Sequence, residues 1–408
     1  METNHHTHLS GISLLDLADQ FGTPLYVYDT SRITKRYQQL VNGFKDASVK
    51  FKYACKALSN VNILRHLQQL GAGLDTVSIQ EVKLGLHAGF KPSDIIFTPN
   101  CVSIAEIKKA VELGVHINID NISVLEQFGH LYGGSVPVCI RLNPHILAGG
   151  NYQISTGHID SKFGISIYQM RHVERVVAST GIQVKGLHMH TGSEIKDIDV
   201  FLRGVEILFE MTEYFPDLDF VDLGSGFKVA YMDGDEETDV KLLGQRLTSR
   251  FNEFCTAYGR DLELWFEPGK YLVSDSGHFL AKVNVIKQTT ATVFAGVDSG
   301  FNHLIRPMFY QAHHEITNLS NPAGIERIYT VVGYICETDT FAWDRRIAEI
   351  REGDILSMRN AGAYGFAMAS NYNSRYRPAE VMVHEGQAYL VRERENFDDL
   401  LAKQIMVI

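Results

Sequence analysis

Residues 49–71 read VKFKYACKALSNVNILRHLQQLG. The first part is a short run of aromatic, β-branched and small residues that closes on Lys56. The second part repeats apolar residues at spacings of three and four, through Ile63, Leu64, Leu67 and Leu70. A strand period followed by a helix period is one βα unit. The same alternation continues to about residue 272. The further strand-like runs are AGLDTVS (72–78), DIIFTPN (94–100), VHINID (115–120), VPVCIRLNP (136–144), IQVKGLHMH (182–190), DLDFVDLG (217–224) and DLELWFEP (261–268). Helical patterns such as SIAEIKKAVELG, QMRHVERVVAS and DVFLRGVEILFEMTEYF lie between them. Alternating strands and helices predict a parallel sheet. Eight units in roughly 225 residues match a (β/α)8 TIM barrel in size and count. The barrel is expected over residues 36–275.

The pattern changes after about residue 277. FLAKVNVIKQT, ATVFAGVDSG, RIYTVVGYI, GDILSMR and AEVMVHEGQAYLVRE read as strands joined by turns. A mostly antiparallel C-terminal β domain, a β-barrel or sandwich, is expected over residues 276–408. TPLYVYDT (23–30), within the N-terminal segment 1–35, is strand-like and is expected to join that domain.

The chain has 408 residues, 45% of them apolar, enough for a sizeable core. A net charge of −10 argues against nucleic acid or anionic membrane as a partner. Five widely spaced cysteines without a CxxC pair fit a reduced, cytoplasmic protein without disulfides or structural zinc. METNHHTHLSG has no apolar signal region. No apolar run reaches 18 residues, so no membrane helix is expected. His5, His6 and His8 read as a solvated tail, and no metal site is expected.

A barrel of this kind places its chemistry at the C-terminal ends of its strands. The polar residues at those ends are Lys56, Asp75, Arg141, His190, the run Gly224, Ser225 and Gly226, and Glu267. Lys56 follows Tyr53, Ala54 and Cys55; partial burial there would lower its pKa and suit covalent attachment of a carbonyl. The plainer alternative is a surface lysine. DLGSG after the seventh strand lies where such barrels bind phosphate through backbone N–H groups, although many glycine-rich turns are only turns. His190 is either a structural histidine or a ring stacked on a flat ligand. Glu267, between Phe266 and Pro268, needs a buried partner: a protonated pyridine nitrogen, or else a lysine or arginine.

At these residues the chain resembles the fold type III pyridoxal-phosphate-dependent decarboxylases, over roughly residues 20–385. YACKAL resembles the family's YAxKA, which implies Lys56 as the lysine that carries the cofactor. GLHMHTGSE resembles GxHxHxGSQ, implying His190 against the ring and Ser193 at the phosphate. GAGLDTVS, DLGSGF and FEPGK resemble further family segments. They imply Asp75 near the cofactor, Gly224 and Gly226 at the phosphate, Glu267 at the ring nitrogen, and Gly269 and Lys270 beside them. Arg141 and Ser225 complete the implied cofactor set.

The distal segments are most similar to the branch that acts on meso-2,6-diaminopimelate and forms lysine. RPMFY implies Arg306 and Tyr310 at the substrate's distal carboxylate. CETDT implies Cys336 as proton donor and Glu337 at the distal ammonium, both reaching the site from the partner subunit of a homodimer. NAGAYGF implies Tyr364 at phosphate or substrate, and Lys270 is a further substrate candidate. Diaminopimelate needs one cation and one anion for its far end, whereas ornithine needs only the anion. A decarboxylase of ornithine, arginine or carboxynorspermidine is the alternative. Three positions depart from the family pattern: Ser225 for a glycine, Lys270 for an arginine, and CETDT for CESxD, so no role is carried onto Asp339.

Overall fold

The computed structural model describes residues 7–146, 161–190, 192, 197–232 and 234–408. The chain divides into two compact units. One comprises Thr34–Val229 and Glu236–Leu272; the other comprises Met1–Ile33, Ala230–Asp235 and Val273–Ile408.

In chain order, strand β1 (Leu25–Asp29) precedes eight parallel strands: β2 (Val49–Ala54), β3 (Gly73–Thr76), β4 (Ile95–Phe97), β5 (His116–Ile119), β6 (Val138–Asn143), β7 (Val184–Met189), β8 (Phe220–Asp222) and β9 (Glu263–Phe266). Each pairs with the next, β9 pairs with β2, and β6–β7 pairing closes the ring into a (β/α)8 barrel. A two-residue strand, Ile165–Ser166, is appended to β6. Short polar residues turn strands into helices. Asn60, Ser78 and Asn121 accept from Asn62, Glu81 and Val124 backbone N–H groups and so start Val61–Gln69, Ile79–Ala88 and Ile122–Tyr132.

Large inward side chains fill the barrel interior. Phe220 and Trp265 stack with ring centroids 3.5 Å apart. A Cβ on Gly186 would lie 2.2 Å from the Phe220 ring, so β7 has glycine where β8 contributes an aromatic. Lys52 Nζ sits 4.0 Å from the Trp265 ring and donates to Asp94 O at 3.1 Å. Burial pushes this lysine down to about 8.

The second unit is mostly antiparallel. Its strands are β10 (Gly277–Gln288), β11 (Val293–Val297), β12 (Ile316–Asn318), β13 (Glu326–Val332), β14 (Thr340–Ala348), β15 (Ile355–Met358), β16 (Ala379–His384) and β17 (Gln387–Arg392). The order is β14-β13-β11-β10-β1-β16-β17, with β15 between β10 and β12. β1 joins this sheet through β10 and β16, as its strand pattern suggests. Its two tyrosines tie it in: Tyr26 donates to His303 O at 2.6 Å and Tyr28 to Glu380 Oε1 at 2.8 Å. β12 and β14 were not expected. Asp344, Arg345 and Arg346 interrupt any alternation in β14, and β12 is only three residues long. Among the described residues no helix is long and apolar enough to cross a membrane.

Candidate active site

Successive strand residues face opposite sides, so alternate residues line the barrel interior. At the C-terminal ends that inner ring is polar: Asp75, Thr98, Asn118, Arg141, His188, Asp222 and Glu267 are all buried. Asp75, Arg141 and Glu267 belong to the expected set. Thr98, Asn118, His188 and Asp222 were missed.

Glu267 is held by two of the missed residues. Thr98 Oγ1 donates to Oε1 at 3.4 Å, and His188 Nε2 lies 3.3 Å from Oε2. The other His188 nitrogen, Nδ1, meets Asn118 Nδ2 at 2.9 Å. An amide N–H at Nδ1 leaves the imidazole proton on Nε2, facing the carboxylate. Burial alone would raise Glu267, but the His188 contact and the Lys56 charge outweigh it and hold the carboxyl well below the usual range. Burial lowers His188, which favours the neutral ring. Asp222 is driven the other way. Burial and the nearby Glu267 charge raise it well above a normal carboxyl, despite the 2.8 Å hydrogen bond from Gly224 N–H to Oδ1. His188, Asp222 and Glu267 present donor atoms within 4.8 Å of one another.

The loop after β8 shapes the next piece. Gly224 has φ +61°, and a Cβ there would stand 2.6 Å from His190 Nδ1. Ser225 N–H donates to that Nδ1 at 3.1 Å. Burial and the neighbouring Arg141 and Lys56 charges lower His190 to about 3, so the ring is neutral and its face is fixed by the loop. This narrows the expected phosphate role. Gly224 N–H goes to Asp222 and Ser225 N–H to His190, which turns attention to Gly226, at φ +139°. Ser193 lies outside the described residues. A Cβ on Gly269 would lie 3.1 Å from Ala54 Cβ and 3.2 Å from Ala57 Cβ, on either side of Lys56, and Lys270 is partly buried at the first position of a short helix.

Lys56 stands on a 3-10 turn, Cys55–Ala57, directly after β2. Its side chain is 45% exposed, not partly buried as the apolar run before it suggested. The turn carries it just past the strand end, within reach of the inner ring through Asp75. Lys56 Nζ lies 3.5 Å from Asp75 Oδ2, whose side chain is 1% exposed. Burial, and then the Glu267 charge, raise Asp75 to about 7 although Lys56 opposes the rise. Asp75 Oδ1 has no hydrogen-bond partner among the described residues. Arg141 is buried, with its guanidinium 4.7 Å from the Phe163 ring centroid.

The second unit has its own polar group. Arg306 is 6% exposed, on a short helix Arg306–Tyr310, and sits 5.2 Å from the Tyr231 ring. Its Nε donates to His314 Nε2 at 3.4 Å, and His314 Nδ1 donates to Arg359 O at 2.7 Å. His314, lowered to about 3 by burial and Arg306, is a neutral acceptor. Tyr310 ends the helix, half-buried against Phe309. Cys336 is exposed, and Asn373 Nδ2 approaches its Sγ at 3.2 Å. Glu337 Oε1 accepts from Tyr372 O–H at 2.6 Å. Asp339 shapes that loop: its carboxylate accepts from Phe301 N–H at 2.7 Å and Ile335 N–H at 3.0 Å. Tyr364 is half-buried with φ +56°.

The barrel residues fit pyridoxal phosphate. An amine stands beside a carboxyl with an unpartnered oxygen, an imidazole face is held flat by a glycine loop, and a buried carboxylate stays ionised where a pyridinium would need it.

Comparison with known proteins agrees. Residues 30–274 match the family described as "Pyridoxal-dependent decarboxylase, pyridoxal binding domain". The chain is 39% identical to the diaminopimelate decarboxylase of Methanothermobacter thermautotrophicus, over 99% of this chain and 97% of that protein. It is 36% identical to that of Bacillus subtilis, over 98% and 95%. It superposes with a TM-score of 0.87 on Helicobacter pylori diaminopimelate decarboxylase complexed with L-lysine, at 30% identity and covering 95% and 98%.

Proposed function

The chain belongs to the pyridoxal-dependent decarboxylases, in their diaminopimelate decarboxylase branch, and on that premise we propose that it converts meso-2,6-diaminopimelate to L-lysine and CO2. The observation that carries the substrate reading is Arg306. Among the described residues this buried guanidinium pairs with no carboxylate, only with a neutral histidine. A buried charge needs a partner. A substrate with a second carboxylate supplies one; ornithine does not.

Bound at Lys56, pyridoxal phosphate supplies an electron sink for the bond that breaks when CO2 leaves. The protein's own groups do the rest. Glu267, ionised and tied by His188 and Thr98, keeps a proton on the ring nitrogen. Asp75, near neutrality, exchanges a proton with the Lys56 amine across 3.5 Å. His190 covers one ring face. Gly226, Ser193, Gly269, Lys270, Arg141 and Tyr364 are assigned to the cofactor, with Ser225 and Gly224 shaping the loop. Arg306 and Tyr310 take the distal carboxylate, and Glu337 the distal ammonium. Cys336 Sγ returns a proton to the carbon that lost CO2. Cys336 and Glu337 are contributed across a homodimer in the cytoplasm.

The test is CO2 and amine release from meso-diaminopimelate, with ornithine, arginine and carboxynorspermidine in parallel. Lysine from diaminopimelate alone is the expected result. Turnover of another substrate in its place would overturn the assignments of Arg306 and Glu337.

A further inference from the structure

We propose that His188 is the positioning residue for Glu267: met at Nδ1 by the Asn118 amide, it brings Nε2 to 3.3 Å from Glu267 Oε2 and steadies the carboxylate that meets the cofactor's ring nitrogen. This rests on the assignment of Glu267 to that nitrogen.

The geometry carries it. His188 is 0% and Asn118 1% exposed, so neither contact exchanges with solvent. Asn118 Nδ2 lies at hydrogen-bond distance, 2.9 Å, from Nδ1, whereas Nε2 stands 3.3 Å from Glu267 Oε2, within ion-pair reach but outside hydrogen-bond geometry in the apoprotein. Asn118 directs Nδ2 at the imidazole, and its Oδ1 finds no other partner among the described residues. The three side chains come from three strands, β5, β7 and the end of β9, and β7 and β9 are separated by β8 in the barrel wall. Backbone pairing through β8 sets the two positions in register, His188 with Asp222 and Asp222 with Trp265, and leaves the Glu267 carboxylate itself to be fixed by its side-chain neighbours. A carboxylate with one oxygen anchored loses rotamer freedom before the cofactor arrives, which is preorganisation of the electrostatic partner. Asp222 lies beside the pair, and its proton keeps a second negative charge away from Glu267. The relay adds no charge of its own, so Glu267 remains the only anion of the triad His188, Asp222 and Glu267.

The experiment is a set of reconstitutions of the full-length apoprotein with pyridoxal phosphate, reading the cofactor's dissociation constant and the absorbance of the bound form. Glu267→Gln is measured first and is expected to weaken binding and shift the absorbance. His188→Leu, which fills the space without a donor, is expected to weaken binding by about tenfold or more and to shift the absorbance in the same direction. His188→Gln, which restores an N–H close to the Nε2 position, is expected to recover most of that loss. In the Glu267→Gln background His188→Leu is expected to add almost nothing, because the two act through one contact. Full additivity, equal losses for the Leu and Gln variants, or wild-type affinity in His188→Leu would each overturn the proposal while leaving Glu267 in its role. Unchanged affinity and absorbance in Glu267→Gln would overturn both. Should His188→Leu fail to fold, nitrogen-15 imidazole shifts of the unmodified protein decide. A protonated Nε2 with a bare Nδ1 is expected, and the opposite tautomer would overturn the relay.

Discussion

Lys56 Nζ lies 3.5 Å from Asp75 Oδ2, a 45% exposed amine against a carboxyl that is 1% exposed. The pair is asymmetric: water reaches the lysine and not the acid. Burial therefore dominates at Asp75 and raises it to about 7, with Glu267 adding to the rise and Lys56 opposing it.

That shift has a signed consequence for stability. In the unfolded chain Asp75 loses its proton near the ordinary value of 3.8, whereas in the folded apoprotein it keeps it to about 7. Between those values the folded state binds the extra proton, so this group's contribution is fully present below the lower value and is lost as pH rises through the upper one. The slope is at most about 1.4 kcal/mol per pH unit. Asp75→Asn should remove it. Urea denaturation of wild type and variant apoprotein from pH 4 to 8 should show the variant gaining relative stability as pH rises. A constant difference across the range would show that Asp75 is not the buried acid described.

Gly224→Ala should uncouple the cofactor site from the fold. A left-handed φ costs a non-glycine residue about 1–2 kcal/mol, and the added Cβ would press on His190 Nδ1 from 2.6 Å. The expected result is a folded, modestly destabilised protein whose cofactor dissociation constant rises by more than its stability loss accounts for. Equal affinity with wild type would show that His190 does not depend on this loop.

Arg306→Ala should raise KM for diaminopimelate while leaving the absorbance of the bound cofactor unchanged. Loss of a charge-assisted contact is worth about 1.5–3 kcal/mol, or roughly 10- to 150-fold. Arg306→Lys should recover little, since Nε is the atom that meets His314 and lysine lacks the fork. Loss of cofactor instead of substrate affinity would move Arg306 to the cofactor.

The barrel and its strand-end residues were legible because both follow from short periods. Two-residue alternation marks strands, and a polar residue where a strand stops is conspicuous, as at Lys56, Asp75, Arg141, His190 and Glu267. His188 and Asp222 carried the same signal one alternation earlier. Two residues before His190, and two before Gly224, each is inward by parity. They lie inside apolar strand runs, where a polar residue stands out less than at a strand's end. Asn118 sits inside an otherwise apolar run, where only its contact with His188 reveals a use. His314, Tyr231 and Asp339 were not legible at all. Their roles come from contacts across 8 residues for His314, with Arg306, and 38 for Asp339, with Phe301, which no local pattern encodes.

Cys336 supplies the last prediction. Its exposed thiol, in the loop that Asp339 holds, suits a group that acts across a subunit boundary. Lys56→Ala and Cys336→Ala should each be inactive as pure homodimers, the second by the 10²–10⁴-fold typical of losing a general acid. After subunit exchange, random pairing makes half the dimers mixed. In each mixed dimer one site carries both changes and the other carries neither. The mixture should therefore recover about a quarter of wild-type activity if the twofold-related sites are shared. If both residues of a site came from one chain, every site in every dimer would lack one of them. Exchange proven by a tagged subunit, with no activity regained, would place Cys336 in the same subunit as its Lys56.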